Sequence, residues 1–262
     1  MALKILRKPK ECILDLKDPE TGLYPINHIF EPEFHQEKYV SVVKDLSVIK
    51  NSFQIGTCNS LIEYPHRGIQ PKYADYENDP ESLEWEGMVK IDGKILSKKE
   101  NKDLNVCALK SVCVRFGYID FETARSVSQD FYESKKAKAG IKKNDVLVNS
   151  TGDGTIGRVA VFNYDFPALV DGHIAILRFD DEKLAWYIAA FLLSDYGQKQ
   201  IYRYINGSSG QVEIYPQDIA RIWIRSESKK KITTIAEKLK AACEKHEQFQ
   251  RDLKIALNLV NN

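Results

Sequence analysis

The amino-acid sequence predicts an α+β protein: a mainly β domain with packed helices, followed by a long C-terminal coiled-coil helix. Short apolar runs flanked by Gly, Asn, Asp or Pro recur through the middle of the chain, which is typical of β-rich domains. Residues 33–50 and 182–202 instead repeat apolar side chains at helical spacing. Residues 232–260 carry a heptad pattern, which indicates a helix that packs along another helix.

The composition allows a large hydrophobic core, and any charged binding surface must come from local clusters of charge. Of 262 residues, 43% are hydrophobic, and 38 basic residues nearly balance 37 acidic ones. Residues 75–86 carry six acids and no base, whereas residues 135–143 carry five lysines and no acid. Such runs occur on solvated loops as well as on binding surfaces, so both interpretations stay open.

Cysteine and histidine usage suggests no metal site and no disulfide framework. The five cysteines contain no C-x-x-C pair, and the five histidines lack the spacing of metal ligands. No N-terminal run resembles a signal peptide, and no apolar run reaches the length of a membrane span. We therefore expect a cytoplasmic protein with no membrane partner.

The N-terminal segment, residues 1–50, is predicted to contain one helix over residues 33–50. This helix is expected to pack on the following domain or on the C-terminal helix, because its apolar side chains share one face. These are Phe34, Tyr39, Val42, Val43 and Leu46.

Residues 51–226 are predicted to form the mainly β domain. A helix over residues 182–202 interrupts the strands and packs on the sheet through its apolar face. The expected strands cover residues 53–56, 88–91, 106–109, 112–116, 145–149, 158–162, 173–179 and 220–224.

Residues 227–262 are predicted to form a helix that needs a partner helix, from this chain or from another subunit. A helix over residues 230–260 would be about 45 Å long, and its apolar stripe is narrow. We read His246 as a polar residue that sets the register, rather than as a ligand. The stripe consists of Ile232, Ile235, Leu239, Ala242, His246, Phe249, Leu253, Ala256 and Val260.

The glycine-rich stretch NSTGDGTIGRVAVF, residues 149–162, contains the spacing G-x-G-x-x-G. A dinucleotide-binding loop with this spacing must lead into a helix, but the alternating run RVAVF that follows predicts a strand. A phosphate loop of the Walker type would also need a Lys and a hydroxyl at fixed positions. We therefore predict a hairpin whose glycines supply positive φ angles.

Catalytic motifs are weak in this sequence. The pairs PE at 80–81 and DGK at 92–94 can be aligned with a PD…(D/E)xK nuclease site, but the segment between them does not read as a strand. Neither a cofactor-binding glycine motif nor the N/D-P-P-[YF] motif of DNA methylation is found. We predict no catalytic residue and no cofactor.

Several motifs in order are similar to a known family. The run KKNDVLVNSTGDGTIGRVAVF resembles the glycine-rich hairpin of target recognition domains in type I restriction–modification specificity (S) subunits. Those domains often read G-D-[IV]-L before G-T-[IV]-G, and Asn144 stands here at the first glycine. Residues 66–73, 168–179 and 206–224 resemble further loops and strands of the family, and the terminal helix resembles its spacer helix.

The resemblance implies a non-catalytic subunit that binds double-stranded DNA and reads one half of a bipartite target. Full S subunits carry two recognition domains and two spacer helices, whereas this sequence shows one of each. The spacer helix would dock a methyltransferase subunit, with a restriction subunit as a further partner, and would join two copies as a homodimer. The stripe residues of the terminal helix are then the subunit interface.

Three loops are implied to contact DNA. Arg67 and Arg158 are favoured, because an arginine fork holds guanine or phosphate at two points. Any of these side chains could instead only close a turn or join two elements. The candidates are Arg67, Gln70, Lys72, Tyr73, Ser150, Asp153, Thr155, Arg158, Arg203, Asn206, Ser208, Ser209 and Gln211.

Three alternatives stay open. The chain could be a protein-interaction module that regulates a restriction complex without binding DNA. It could be the recognition domain of a fused restriction–methylation enzyme, or a nuclease that acts alone.

Overall fold

In the computed structural model of the chain, residues 2–7, 10–15, 32–71, 88–91, 94–97, 106–207 and 212–261 are described. The fold is α+β, as the sequence predicts. The first half of the chain contains β1 (Ala2–Arg7), β2 (Lys10–Asp15), α1 (Glu37–Ser47), β3 (Phe53–Gln54), β4 (Leu61–Arg67), β5 (Met88–Ile91), β6 (Lys94–Ser97), β7 (Val106–Leu109) and β8 (Arg125–Val127). The second half contains α2 (Gln129–Ala139), β9 (Gly140–Ile141), β10 (Asp145–Asn149), β11 (Val159–Phe162), β12 (Ala168–Val170), β13 (Ile174–Phe179), α3 (Glu182–Leu193), α4 (Asp195–Arg203), α5 (Pro216–Ala220), β14 (Trp223–Ile224) and α6 (Lys229–Asn261).

Two four-stranded sheets form the centre of the fold. The first has the strand order β11-β10-β13-β4, all antiparallel neighbours, and the second has the order β8-β7-β12-β9 with a parallel pair, β7 and β12. Leu147, Phe162 and Ile176 of the first sheet pack against Leu109 and Val170 of the second. The two sheets therefore lie face to face with an apolar layer between them.

Helices cover both outer faces. The outer face of the first sheet, with Val148 and Leu177, packs against α1, α3 and α4 and the start of α6. The outer face of the second sheet packs against α2 through Ala139 and Phe131. This layered arrangement explains why the inner strand β10 and even the edge strand β11 are buried along their whole length.

The glycine-rich stretch forms the predicted hairpin. Strands β10 and β11 pair antiparallel from Asp145↔Phe162 to Val148↔Val159. Gly152, Gly154 and Gly157 all have positive φ, at 92°, 77° and 81°. The prediction that these glycines serve a tight turn is confirmed.

Other strand and helix predictions were wrong in detail. The strand expected at 112–116 is a 3-10 turn followed by a single bridge between Val114 and Ile119. The helix expected at 182–202 is broken at Ser194, whose hydroxyl caps α4 by accepting from the Gly197 amide. Of the strand expected at 220–224, only β14, Trp223–Ile224, is a strand, because α5, which Pro216 begins, extends to Ala220.

The N-terminal helix follows its predicted face. The expected helix over 33–50 is a 3-10 turn, Pro32–His35, followed by α1. Phe34, Val42 and Leu46 are buried in the helical layer. The division of the chain at residues 50 and 226 stays a prediction, and the whole acidic run 75–86 lies outside the described residues.

The terminal helix α6 has two different halves. Ile232, Ile235 and Leu239 pack on the helical layer of this chain, largely against α3. They therefore have a partner helix within this chain, one of the two alternatives predicted from the sequence, and their role in a subunit interface stays a prediction. Ala242 is exposed and Cys243 takes its place in the packing, because a straight α-helix drifts away from an exact heptad repeat.

The second half of α6 makes few contacts with the described residues of the chain. His246 lies on the Tyr118 ring, with ring centroids 3.8 Å apart. Beyond it the apolar side chains are open: Phe249 is 57% exposed, Leu253 42% and Val260 83%. Ala256 is exposed as well.

Asn144 occupies the position at which the family pattern has glycine. Its φ of 71° lies in the left-handed region, which Asn tolerates better than other non-glycine residues. Its side-chain oxygen also accepts a hydrogen bond from the indole N–H of Trp186 at 3.1 Å, and Trp186 is only 1% exposed. Asn144 thus combines a backbone role with that of a hydrogen-bond acceptor for this buried indole.

Two variants of Asn144 separate these roles. Asn144→Ala should destabilise the fold by about 1–2 kcal/mol through backbone strain and by about 1 kcal/mol more through the lost hydrogen bond. Asn144→Gly should lose only the hydrogen bond. Urea unfolding midpoints of both variants give the comparison, with Trp186→Phe as the control background in which Asn144→Gly should cost nothing. Equal midpoints for the Ala and Gly variants would contradict the strain argument.

Candidate nucleic-acid interface

One end of the two sheets gathers most of the candidate residues. The C-terminal ends of β4, β7, β10 and β12 and the starts of β11 and β13 meet there, as the pairs Arg67↔Ala175 and Asn149↔Ile174 show. The loops at this end are 67–71, 110–112, 150–158 and 171–173, and the described parts of a fifth loop, 205–207 and 212–215, join them through bridges to Glu213. We call these five loops the rim.

Ser150 links three of the rim loops. Its amide and hydroxyl both donate to the His173 carbonyl, at 2.8 and 2.9 Å. Its carbonyl accepts from the Ile214 amide at 2.9 Å and from Arg67 Nη2 at 3.4 Å. Ser150 is fully buried, so it holds the rim together and does not lie on the surface predicted for it.

Arg67 closes the same junction from β4. Its guanidinium donates to the Glu213 carboxylate at 3.0 Å and to the Ile214 carbonyl at 2.9 Å, and it lies over the Tyr215 ring. The Tyr215 hydroxyl donates to Glu213 as well. These bonds from Tyr215 and then from Arg67 lower the pKa of Glu213. Arg67 is therefore engaged inside the protein, although the sequence favoured it as a DNA contact.

The tip of the glycine hairpin presents open polar groups. Thr155 Oγ1 donates to the Thr151 carbonyl at 3.0 Å, so this candidate closes the turn. Asp153 is exposed at the tip. Arg158 is half-buried: its Nη2 donates to the Gly154 carbonyl at 2.9 Å, while its Nη1 is buried and has no hydrogen-bond partner among the described residues. Swinging Arg158 outward therefore breaks one hydrogen bond only.

The other candidates are divided between core and rim. Gln70 is exposed on loop 67–71. Asn206 pairs with Glu213 through both backbone groups and donates its side-chain amide to the Tyr204 carbonyl at 3.0 Å. Lys72, Tyr73, Ser208, Ser209 and Gln211 lie outside the described residues.

Arg203 requires a correction. It is 1% exposed, its Nε donates to the Phe34 carbonyl, and its guanidinium lies 4.0 Å from the centroid of the Phe34 ring. The inner face of α4 thus carries this charge into the helical layer, where an aromatic face and a carbonyl stabilise it. Arg203 does not lie at the rim.

His173 is a rim residue that the sequence analysis missed. It is exposed, and its Nδ1 lies 2.7 Å from Thr151 Oγ1, which fixes the orientation of the ring. Its amide donates to the buried Asp171 carboxylate at 2.9 Å. The segment VDGHIAILRF predicts a turn followed by a strand, which is the position of a rim loop. The sequence alone, however, does not show which residues a single histidine contacts.

The described residues contain no group of three or more His, Cys, Asp or Glu side chains that could hold a metal ion. Within the same part of the chain, no helix combines the length and apolar character needed to cross a membrane. The rim offers hydrogen-bond donors, acceptors and charges on loops that internal hydrogen bonds hold in place.

The fold is similar to two solved structures. The type IIG restriction endonuclease BpuSI is 10% identical, with a TM-score of 0.51 over 79% of this chain and 28% of that chain. A type I restriction–modification S subunit from M. genitalium is 16% identical, with a TM-score of 0.50 over 81% of this chain and 44% of that chain. The resemblance to the S-subunit recognition domain is thereby confirmed for the fold, and this chain spans less than half the length of either protein. Neither a family model nor a curated protein sequence matches this chain.

The bond network of Glu213 predicts a pH-dependent contribution to stability. Because the pKa of Glu213 is lower in the folded state, its contribution is present above the unfolded value of about 4.3 and is lost as the pH falls through the folded value. Glu213→Gln should lower the free energy of unfolding by about 0.5–1 kcal/mol at neutral pH, since the pair with Arg67 is partly exposed.

Urea unfolding of the wild type and of Glu213→Gln at a series of pH values measures this. The difference between the two proteins should shrink as the pH falls below about 4. Glu133→Gln, which removes an exposed pair with Lys136 on α2, is the control and should show little difference at any pH. A constant difference for Glu213→Gln across the series would contradict the assignment.

Proposed function

We propose that this chain is the DNA-recognition component of a type I-like restriction–modification system and reads one half of a bipartite target. The observation that carries the proposal is the rim. Five loops converge there, internal hydrogen bonds hold them in place, and polar side chains remain open toward solvent. The fold shared with the M. genitalium S subunit supports the same assignment.

The rim suits the edge of a DNA duplex. Arg158 can offer a two-point fork to guanine or phosphate, and Asp153 can accept a hydrogen bond from a cytosine amino group. His173 and Gln70 add groups that donate or accept. Because Ser150, Thr155 and Arg67 already bond inside the protein, we assign them to holding the loops rather than to reading bases.

We assign the exposed half of α6 to protein partners. Cys243 contacts Gly117 beside the rim-side start of β11, and Glu247 contacts Tyr164 beyond the other end of that strand. The helix therefore runs away from the rim as it leaves the domain. In our proposal its apolar side chains dock a methyltransferase subunit or a second copy of this chain, and the catalytic residues belong to those partner subunits.

A homodimer formed through α6 would determine the arrangement of the half-sites in the DNA target. The helix of 33 residues is about 50 Å long, and two antiparallel copies would hold two rims further apart than one duplex turn of about 34 Å. The target would then have two identical half-sites around an unread gap. A second proposal, the recognition region of a longer single-chain enzyme, is favoured by the likeness to BpuSI.

Selection of bound sequences from a random DNA pool tests the recognition role. The wild-type chain should enrich a short sequence, with affinity that falls steeply with salt because phosphate contacts release counterions. Arg158→Ala should relax the preference at one base pair and cost about 1–3 kcal/mol on the selected site. Arg225→Ala, which removes a partly exposed arginine outside the rim, is the matched control.

Two results would count against the proposal. Absence of any enriched sequence, with the chain folded, would favour the regulatory module that does not bind DNA. Metal-dependent cleavage of DNA by the purified chain would favour the nuclease.

Substitutions on the exposed half of α6 should impair the binding of protein partners. Phe249→Glu with Leu253→Glu should abolish self-association or co-purification with a methyltransferase subunit, because both side chains are open on the helix. Unfolding midpoints should change little. Glu244→Gln with Lys245→Gln, on exposed polar positions of the same helix, is the control. Size-exclusion chromatography with light scattering gives the readout, and an unchanged mass for both variants would show that partners bind elsewhere.

A further inference from the structure

Two lysines at the C-terminal end of α2 form a surface that the recognition role has not used. The lysine run 135–143 divides between the two ends of the sheets. Helix α2 leads into β9, whose residue Gly140 pairs with Leu169, near the rim end of β12. Strand β9 then runs away from the rim, so that Lys142 and Lys143 lie at the far end, beside the start of β10. Lys135 and Lys138 are thus on the rim side.

The rim end of α2 is held rigidly beside the candidate loops. The ring of His66, one residue before Arg67, makes a hydrogen bond of 3.1 Å with the Lys138 carbonyl. Farther from the rim, Arg178 donates to the Gly140 carbonyl at 2.9 Å and to Asp145 at the start of β10, which fixes the connection from α2 to β9. Ile69 of loop 67–71 packs on the same apolar cluster as Ala139.

The charges on α2 are segregated along its axis. Asp130 and Glu133 lie in its first half, away from the rim, and Glu133 pairs with Lys136. Lys135 and Lys138 are exposed and have no ion-pair partner among the described residues. Lysines near a helix C-terminus also interact favourably with the helix dipole. The interaction with the helix dipole alone does not explain why two lysines without an ion-pair partner among the described residues lie beside the rim.

We propose that Lys135 and Lys138 bind DNA phosphates beside the bases that the rim reads. This inference rests on the proposed recognition function and adds a second, sequence-independent contact surface to it. Ammonium groups on flexible stems suit phosphate as point charges, and they position the duplex without reading it. The rim would then supply sequence preference, while α2 supplies affinity that depends on salt.

The lysine run itself provides a matched comparison. Lys135→Gln with Lys138→Gln removes two charges at the rim end of α2. Lys142→Gln with Lys143→Gln removes two charges from the same run at the far end, where Lys143 pairs with Asp165. Fluorescence anisotropy of the full chain with a selected duplex and a scrambled duplex, across salt concentrations, measures the affinity of each variant. Thermal unfolding checks that both variants remain folded.

For the rim variant, Lys135→Gln with Lys138→Gln, the slope of log K against log salt should be shallower than that of the wild type by about 1.8, since each phosphate contact contributes about 0.9. Its affinity deficit should therefore shrink about tenfold between about 50 and about 200 mM salt. The deficit should be equal on both duplexes, so that the sequence preference is kept, and the far-end variant should match the wild type.

The other outcomes overturn the inference in distinguishable ways. If the wild type prefers the selected duplex and the rim variant keeps its slope, the lysine surface fails and the recognition function stands. If both variants lose the same slope, the position beside the rim is irrelevant. Unchanged DNA affinity with loss of a co-purifying methyltransferase subunit would identify an acidic protein surface as the partner. If the wild type binds neither duplex, the recognition function fails together with this inference.

Discussion

Ser150 joins its own loop to the loops of Arg67, His173 and Ile214 through four hydrogen bonds, all of them made within the protein. The loops that carry it, His173 and Ile214 come from distant parts of the chain, and each would lose its place without the others. A buried hydroxyl with a partner is stable, whereas loss of the partner leaves a costly unsatisfied group. Ser150, together with the bonds of Arg67 to Glu213 and Ile214, therefore fixes the positions of the loops that carry the rim side chains.

This arrangement separates the residues that hold the rim from those that can contact a ligand. Arg67 and Thr155 donate hydrogen bonds to carbonyls and a carboxylate of the same chain. Arg158, Asp153 and His173 stand on the turns that those bonds make rigid. Rigid loops lose little conformational freedom on binding, which favours affinity and selectivity.

The sequence predicts local features of this protein well and distant pairings poorly. The strand–turn–strand pattern around the three glycines, and the apolar face of α1, follow from residue type and spacing alone. The partner of Arg67 lies 146 residues away at Glu213, and no spacing rule connects them. Arg203 was predicted to be a surface cation because loops commonly carry arginines, but its guanidinium is buried against the ring of Phe34. The helix α2 was missed because its apolar periodicity is weak.

The terminal helix is fastened to the edge strand that leads out of the glycine hairpin. Cys243 Sγ donates to the Gly117 carbonyl at 2.8 Å, and the Gly117 amide donates to the Val159 carbonyl at 2.8 Å. Val159 follows Arg158 directly. Only two hydrogen bonds, through Gly117, therefore separate the terminal helix from the base of the hairpin that bears Arg158.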